Sequence, residues 1–310
     1  MLNLEKSKNG FLGIEENDAT NYATSKAIII PFGLEKTVSY GSGTKRGPQA
    51  IIKASHQVEL FDEELWCEAY KKYGVSTLKQ PKIKTNIHSA LKQLEDIVRQ
   101  VLENNKFPLI LGGEHSIIAG SIRPFAEKYK DLAILHFDAH ADLRNEYQGK
   151  KFSHASALRR CMDFKNIKLI SAGIRNISTE EVSFLRKNRR RIKIYWAKDK
   201  SNWDIKKIIS SLKNKSVYLT FDVDAFDSSI MPSTGTPEPG GLFWNETIEI
   251  IRSIAQKCKI VGADINELSP KRGFESCNFL AAKLAYKVLN YAFTYKKIKI
   301  FFRTTIKGMF

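Results

Sequence analysis

Apolar runs of strand length recur along this chain, with helically patterned stretches between several of them. AIIIPF (27–32), FPLILGG (107–113), LAILHF (132–137), KLISAGI (168–174), KIYW (193–196), VYLTFDVD (217–224) and KIVGADI (259–265) are largely apolar at consecutive positions. Such runs predict strands buried on both faces. Residues 88–105 instead place Leu91, Leu94, Ile97, Val98, Val101 and Leu102 on one stripe, and 117–129, IKKIISSLK (205–213) and NETIEIIRSIAQK (245–257) are patterned in the same way. Strands alternating with helices predict an α/β fold, a mainly parallel central sheet with helices on both faces. No internal repeat, low-complexity linker or composition break divides residues 1–310, so one domain is expected, with a polar N-terminal extension (1–25) and a basic C-terminal tail from about 292 to 310.

Composition changes this picture little. Of the 310 residues 43% are hydrophobic, ordinary for a chain with a real core. No apolar stretch approaches the roughly 18–20 residues that cross a bilayer, and the N-terminus lacks the apolar centre of a signal peptide. Cys67, Cys161, Cys258 and Cys277 are scattered without metal-binding spacing, as reduced thiols would be. A cytoplasmic location is expected. The net charge of +17 is concentrated in RKNRRRIKIYWAKDK (186–200) and in the last residues, KKIKIFFRTTIKGMF. No nucleic-acid-binding motif accompanies it, so a lysine-rich surface is expected, with neither nucleic acid nor membrane as partner.

The polar clusters that follow the strands matter more. HFDAHADLR (136–144) places Asp138, His140 and Asp142 at alternate positions after LAILHF, on one face if the strand continues. GGEHS follows PLIL, its glycines permitting a tight turn before His115. FDVD supplies Asp222 and Asp224, DINE ends on Glu267, and SHAS (153–156) places His154 in the loop region after DAHAD. In a parallel sheet, sites form beyond the carboxyl ends of the strands. A DxD pair alone is common in turns, and a lone histidine at a strand end is usually just hydrogen-bonded. Together, however, two histidines and four aspartates gather at one sheet edge, where unpaired carboxylates would repel and lose solvation. Two divalent cations would neutralise four aspartates, which suggests a binuclear centre. Oxygen-rich donors with two imidazoles and no thiolate favour Mn²⁺ over a structural Zn²⁺. Metal ions lower the pKa of a shared water, so hydrolysis is the expected reaction class.

In order and approximate spacing, GGEHS, HFDAHAD, SHAS, FDVDAFD…TGTPEPGG and DINELSP resemble the ureohydrolases, the arginase–agmatinase family, over roughly residues 25–290. GSGTKRGPQAIIKAS (41–55) and Gly173-Ile174-Arg175 are further landmarks. The resemblance implies a three-layer α/β fold, two Mn²⁺ ions, urea release from a guanidino group, and a homo-oligomer, trimer or hexamer. It assigns His115, Asp138, Asp142 and Asp222 to one ion and His140 and Asp224 to the other, with Asp138 and Asp222 bridging. His154 matches the proton shuttle and Glu267 the carboxylate facing the guanidinium. His136 matches no ligand and is expected to be a core or supporting residue.

TGTPE (234–238), which places Glu238 at the pocket, and the loop LRNEYQGKKFS (143–153) resemble agmatinases, implying agmatine cleavage to putrescine and urea, a step of polyamine biosynthesis. Arg144, Lys150 or Lys151 in the pocket would instead favour a carboxylate-bearing substrate such as guanidinobutyrate; guanidine and arginine are further alternatives. Glu114, Asp227-Ser228 and Ser233 depart from the commonest family pattern without removing a ligand. Outside the class stand a non-catalytic basic binding protein, tested by DNA binding, and a mononuclear zinc deacetylase, tested by a metal count.

Overall fold

The computed structural model describes residues 2–305, with side chains described through Thr294. The apolar runs become strands. In chain order these are β1 (Ala27–Phe32), the two-residue pair β2 (Phe61–Asp62) and β3 (Cys67–Glu68), β4 (Val75–Thr77), β5 (Phe107–Gly112), β6 (Leu132–Phe137), β7 (Ile167–Ile174), β8 (Ile192–Trp196), β9 (Ser216–Asp222) and β10 (Lys259–Asn266). Eight of them form one sheet in the order β4-β1-β5-β10-β9-β6-β7-β8, every neighbouring pair parallel. The helices are α1 (Gly47–Ser55), α2 (Tyr70–Tyr73), α3 (Ile87–Glu103), α4 (Ile118–Lys128), α5 (Ala157–Cys161), α6 (Thr179–Lys187), α7 (Ile205–Leu212), α8 (Trp244–Lys257) and α9 (Glu275–Thr305).

Strand alternation explains why the central runs are apolar at consecutive positions. Ile28, Ile30, Ile110 and Ile134 pack in one cluster with Leu94 and Val98 of α3 and Ile122 and Phe125 of α4. Their neighbours Ile29, Leu109, Leu111 and Leu135 belong to the opposite cluster, with Ile51 of α1, Ile251 of α8 and Leu284 of α9. Helices therefore cover both faces, as the pattern predicts. Asn86 starts α3 by accepting from the backbone N–H groups of His88 and Ser89.

Besides the short β2, β3, α2 and α5, the hydrophobic pattern misses β4, α1, α6 and α9. β4 is a three-residue edge strand, too short to show a period. The polar-looking N-terminal segment conceals Phe11, Leu12 and Ile14, all buried; Thr77 Oγ1 accepts from Phe11 N–H at 2.9 Å and Ser55 Oγ from Leu12 N–H at 2.8 Å. Of the basic tail, the backbone continues as helix to Thr305; residues 306–310 lie outside the described residues. Among the described residues no helix is long and apolar enough to cross a membrane.

Candidate metal centre

Four adjacent strands at the middle of the sheet, β5, β10, β9 and β6, end at the same edge and bring their following residues together. His115 follows β5, Glu267 follows β10, Asp222 closes β9 with Asp224 in the next turn, and Asp138, His140 and Asp142 follow β6. The GGEHS glycines serve close approach. A Cβ on Gly112 would lie 2.0 Å from Asn266 Oδ1, and one on Gly113 2.0 Å from the Leu34 carbonyl oxygen.

The convergence of DAHAD does not arise by strand alternation. β6 stops at Phe137, and the chain then turns, clamped by Ala141 N–H on the Asn176 carbonyl and by Arg175 and Asn176 N–H on that of Ala139. Asp142 takes a left-handed φ of 53° and Glu267 one of 64°. Non-glycine residues held there carry local strain, which concentrates at functional sites.

All six proposed ligands meet. His115 Nδ1 stands 3.0 Å from Asp138 Oδ2, 3.2 Å from Asp142 Oδ2 and 3.5 Å from Asp222 Oδ2. His140 Nδ1 lies 3.0 Å from Asp224 Oδ2 and 3.5 Å from Asp138 Oδ1. Three donor atoms of Asp138, His140 and Asp224 are close enough to hold one ion, and so are those of His115, His136 and Asp138. The two groups share Asp138.

The donors fit a cation. Buried His115 Nδ1 has no hydrogen-bond partner although three carboxylate oxygens surround it, the environment of a lone pair aimed at a common centre. Asp138, Asp142, Asp222, Asp224 and Glu267 are all buried. Burial, then the Asp138 carboxylate, pushes Asp142 up to about 7. Burial, then Asp224 and Asp138, raises Asp222 well above the usual carboxylate range. Burial also opposes a charge on His140, yet Asp224 and Asp138 outweigh it and hold the imidazole up to about 12. The site is short of positive charge, which divalent ions on these residues would supply.

A cavity of about 320 Å³ opens onto this cluster, lined by His115, His140, Asp142, Asp222, Asp224, His154, Glu238, Glu267, Tyr147 and Arg144 among others. His154 is half-buried, and burial lowers its pKa despite the nearby Glu114 carboxylate. Glu267 Oε1 accepts from His115 N–H at 2.6 Å. Arg144 does reach the cavity wall, but its guanidinium lies over the Tyr147 ring, 5.2 Å from the centroid, and 3.8 Å from Glu180 Oε2. Lys150 and Lys151 line a separate depression. His136 is buried and bonds Asp138 Oδ2 at 2.8 Å and Ser171 Oγ at 3.0 Å.

Sequence reasoning did not nominate Thr37, Tyr40, Tyr147, Asn176 or Glu181. Thr37 touches His154 from 117 residues away, and a threonine between apolar strands carries no signal of that. Arg175 appeared only as a landmark; its guanidinium donates to the carbonyls of Gly173, Asp224, Phe226 and Glu238, tying the cavity's wall to β7.

A parallel sheet with a carboxylate–imidazole centre at its carboxyl edge defines a hydrolytic enzyme of the α/β class with a candidate metal site. A family model described as the arginase family matches residues 25–290. The chain belongs to the arginase family, and its relatives and structural neighbours make it an agmatinase-like ureohydrolase. It is 35% identical over 288 residues to the N(1)-aminopropylagmatine ureohydrolase of Synechocystis sp., covering 90% of this chain and 92% of that one. Identity to the agmatinase of Halalkalibacterium halodurans is 34% over 257 residues, 81% and 86% of the two chains. The agmatine ureohydrolase of Thermoplasma volcanium superposes with a TM-score of 0.81 at 30% identity, over 90% of this chain and 94% of that structure.

Proposed function

We propose that this ureohydrolase uses two Mn²⁺ ions to hydrolyse the guanidino group of a linear guanidino-alkylamine, agmatine first among them, to urea and an amine. His115, Asp138, Asp142 and Asp222 would hold one ion and His140 and Asp224 the other, with Asp138 and Asp222 placed to serve both. The observation that carries this reading is the buried, unpartnered His115 Nδ1 facing three carboxylates. Bound there, the ions supply an activated water and stabilise charge developing on the substrate.

The chain's own residues do the rest. Glu267 offers a carboxylate to the planar N–H fork of a guanidinium, and its anchor on His115 N–H fixes its distance from the centre. His154, kept neutral near pH 7 by its lowered pKa, takes up a proton in the cavity and delivers it to the leaving nitrogen. Glu238, which lines the cavity, suits a cationic tail. Arg144 lines the same cavity, the placement that favours a carboxylate-bearing tail, so guanidinobutyrate belongs among the substrates tested.

A second reading, agmatine extended by an aminopropyl group, is favoured by the similarity to the N(1)-aminopropylagmatine ureohydrolase of Synechocystis sp.. The test is urea release by Mn²⁺-loaded protein with agmatine, aminopropylagmatine, arginine, guanidinobutyrate and guanidine in parallel. Preference for agmatine supports the first reading, preference for its extended form the second, and silence on all five rejects both. The same proposal includes a trimer or hexamer, checked by sedimentation, and a reducing compartment, consistent with four free cysteines.

A further inference from the structure

Behind the donor cluster lies a tier of polar side chains that touches neither cavity nor solvent. Ser171, His136, Thr220 and Asp264 sit opposite one another across β7, β6, β9 and β10, so their side chains share one face of the sheet. All four are at most 1% exposed. Asp264 accepts from Thr220 Oγ1 at 2.6 Å, and also from Tyr218 OH and Asn266 Nδ2. A carboxylate so surrounded by donors is an acceptor, and the single Thr220 hydroxyl proton is committed to it.

Thr220 Oγ1 also lies 2.8 Å from His115 Nε2. With its proton turned toward Asp264, the hydroxyl can only accept from the ring, so Nε2 carries the hydrogen. A neutral imidazole then has its lone pair on Nδ1. That is the atom facing Asp138, Asp142 and Asp222 without a hydrogen-bond partner.

The same arrangement recurs at a second active-site histidine, His154, on different elements. Glu114 accepts from the backbone N–H groups of Lys36 and Thr37 at 2.6 Å each, from Thr37 Oγ1 at 2.9 Å and from Ser116 Oγ. Thr37 Oγ1, its proton likewise spent on a carboxylate, accepts from the backbone N–H of His154 at 3.0 Å and lies 3.3 Å from the ring nitrogen His154 Nδ1. Ser153 Oγ lies 3.4 Å from the same Nδ1, but the shorter contact is to an oxygen with no proton left to give, which places the hydrogen of His154 on Nδ1 and leaves the lone pair on Nε2, the nitrogen beside Ser39 Oγ.

We infer that a carboxylate–threonine pair behind each histidine selects its tautomer: Asp264–Thr220 presents the His115 Nδ1 lone pair to a cation, and Glu114–Thr37 presents that of His154 Nε2 to the cavity. Thr220 and Thr37 are positioning residues, acting through the rings they hold. The first half rests on the metal reading above; the second does not.

The test compares valine, which keeps the threonine's shape, with serine, which keeps its hydroxyl. Mn²⁺ affinity is read from the electron-spin resonance of free aquated Mn²⁺, independently of turnover. Thr220→Val is expected to weaken Mn²⁺ binding about 10–100-fold, the usual effect of losing a group behind a ligand, and Thr220→Ser to bind as wild type. Thr37→Val should bind Mn²⁺ as wild type and lose kcat with KM unchanged, and Thr37→Ser should restore kcat. Wild-type affinity in Thr220→Val, or equal loss in valine and serine variants, overturns the tautomer reading in favour of packing. Wild-type protein that binds no Mn²⁺ overturns the metal reading itself, a different result. ¹⁵N-histidine spectra of the unmutated protein loaded with diamagnetic Zn²⁺ need no variant. A proton on Nδ1 of His154 supports the inference, and a proton on Nε2 with bare Nδ1 overturns it.

Discussion

Asp138 is where the two halves of the centre meet: one oxygen faces His115 and His136, the other His140. Asp138→Ala is therefore expected to lose Mn²⁺, measured by metal analysis after gel filtration, and to abolish urea release. His154→Ala should keep its metal and lose turnover about 10²–10⁴-fold, the contribution of a positioned acid–base group; loss of the metal in that variant would mean the ring is a ligand. Glu267 presents a carboxylate whose pKa is raised well above normal, by burial first, with the neighbouring Glu114 and Asp224 adding to it. A guanidinium would compensate that buried charge, so Glu267→Gln should raise KM for agmatine while leaving Mn²⁺ content unchanged. The carboxylates and imidazoles of the centre were legible in the sequence because each cluster follows an apolar run. The left-handed backbone at Asp142 and Glu267 was not, since nothing local in AHADL or INELS demands it.

At the scale of elements, two devices hold the frame. Asp227 clasps the segment between β9 and α8, accepting at Oδ2 from Gly240 and Gly241 N–H and at Oδ1 from Ser229. Partial burial works against its charge, but these hydrogen bonds prevail and draw it from 3.8 down to about 2. A pKa depressed in the folded state gives stability that is present above the unfolded value and lost as pH falls through the folded one. The stability difference between wild type and Asp227→Asn in denaturant unfolding should thus persist at pH 5 and close toward pH 2. The second device is Lys287 on α9, buried, which donates to Asp62 at 3.0 Å and Glu63 at 2.9 Å and so ties down the β2–β3 segment. Lys287→Met leaves buried Asp62 without its cation and should cost about 3 kcal/mol in urea unfolding, as when one partner of a buried ion pair is removed. Neither device was readable beforehand: Lys287 reaches back to residues far away in the chain, and Asp227 closes an irregular segment that has no period to read. The long strands and α3 were, because their periods of two and 3.6 are local.

For the whole molecule, the carboxylates of Asp138, Asp142, Asp222, Asp224 and Glu267, buried together at one sheet edge, should make the fold itself sensitive to cations. Chelation should abolish urea release and lower the melting temperature, and Mn²⁺ should restore both. A free-ion concentration a hundredfold above Kd stabilises by about 2.7 kcal/mol, readable by thermal unfolding, and an unchanged melting temperature would speak against cations in this cluster. Arg191, in the basic run expected to be mere surface, donates to the carbonyls of Met162, Phe164 and Ile167, so part of that charge is structural. By itself the sequence determined the α/β layering, through apolar runs alternating with helical stripes, and the chemical class of the centre, through histidines and aspartates placed directly after strands. Only the tertiary structure decided that β5, β10, β9 and β6 stand side by side, that Thr37 reaches His154, and that Asp264 lies behind His115 through Thr220. Strand order and cross-strand register are set by packing between distant segments, and a periodicity read along one segment cannot contain them.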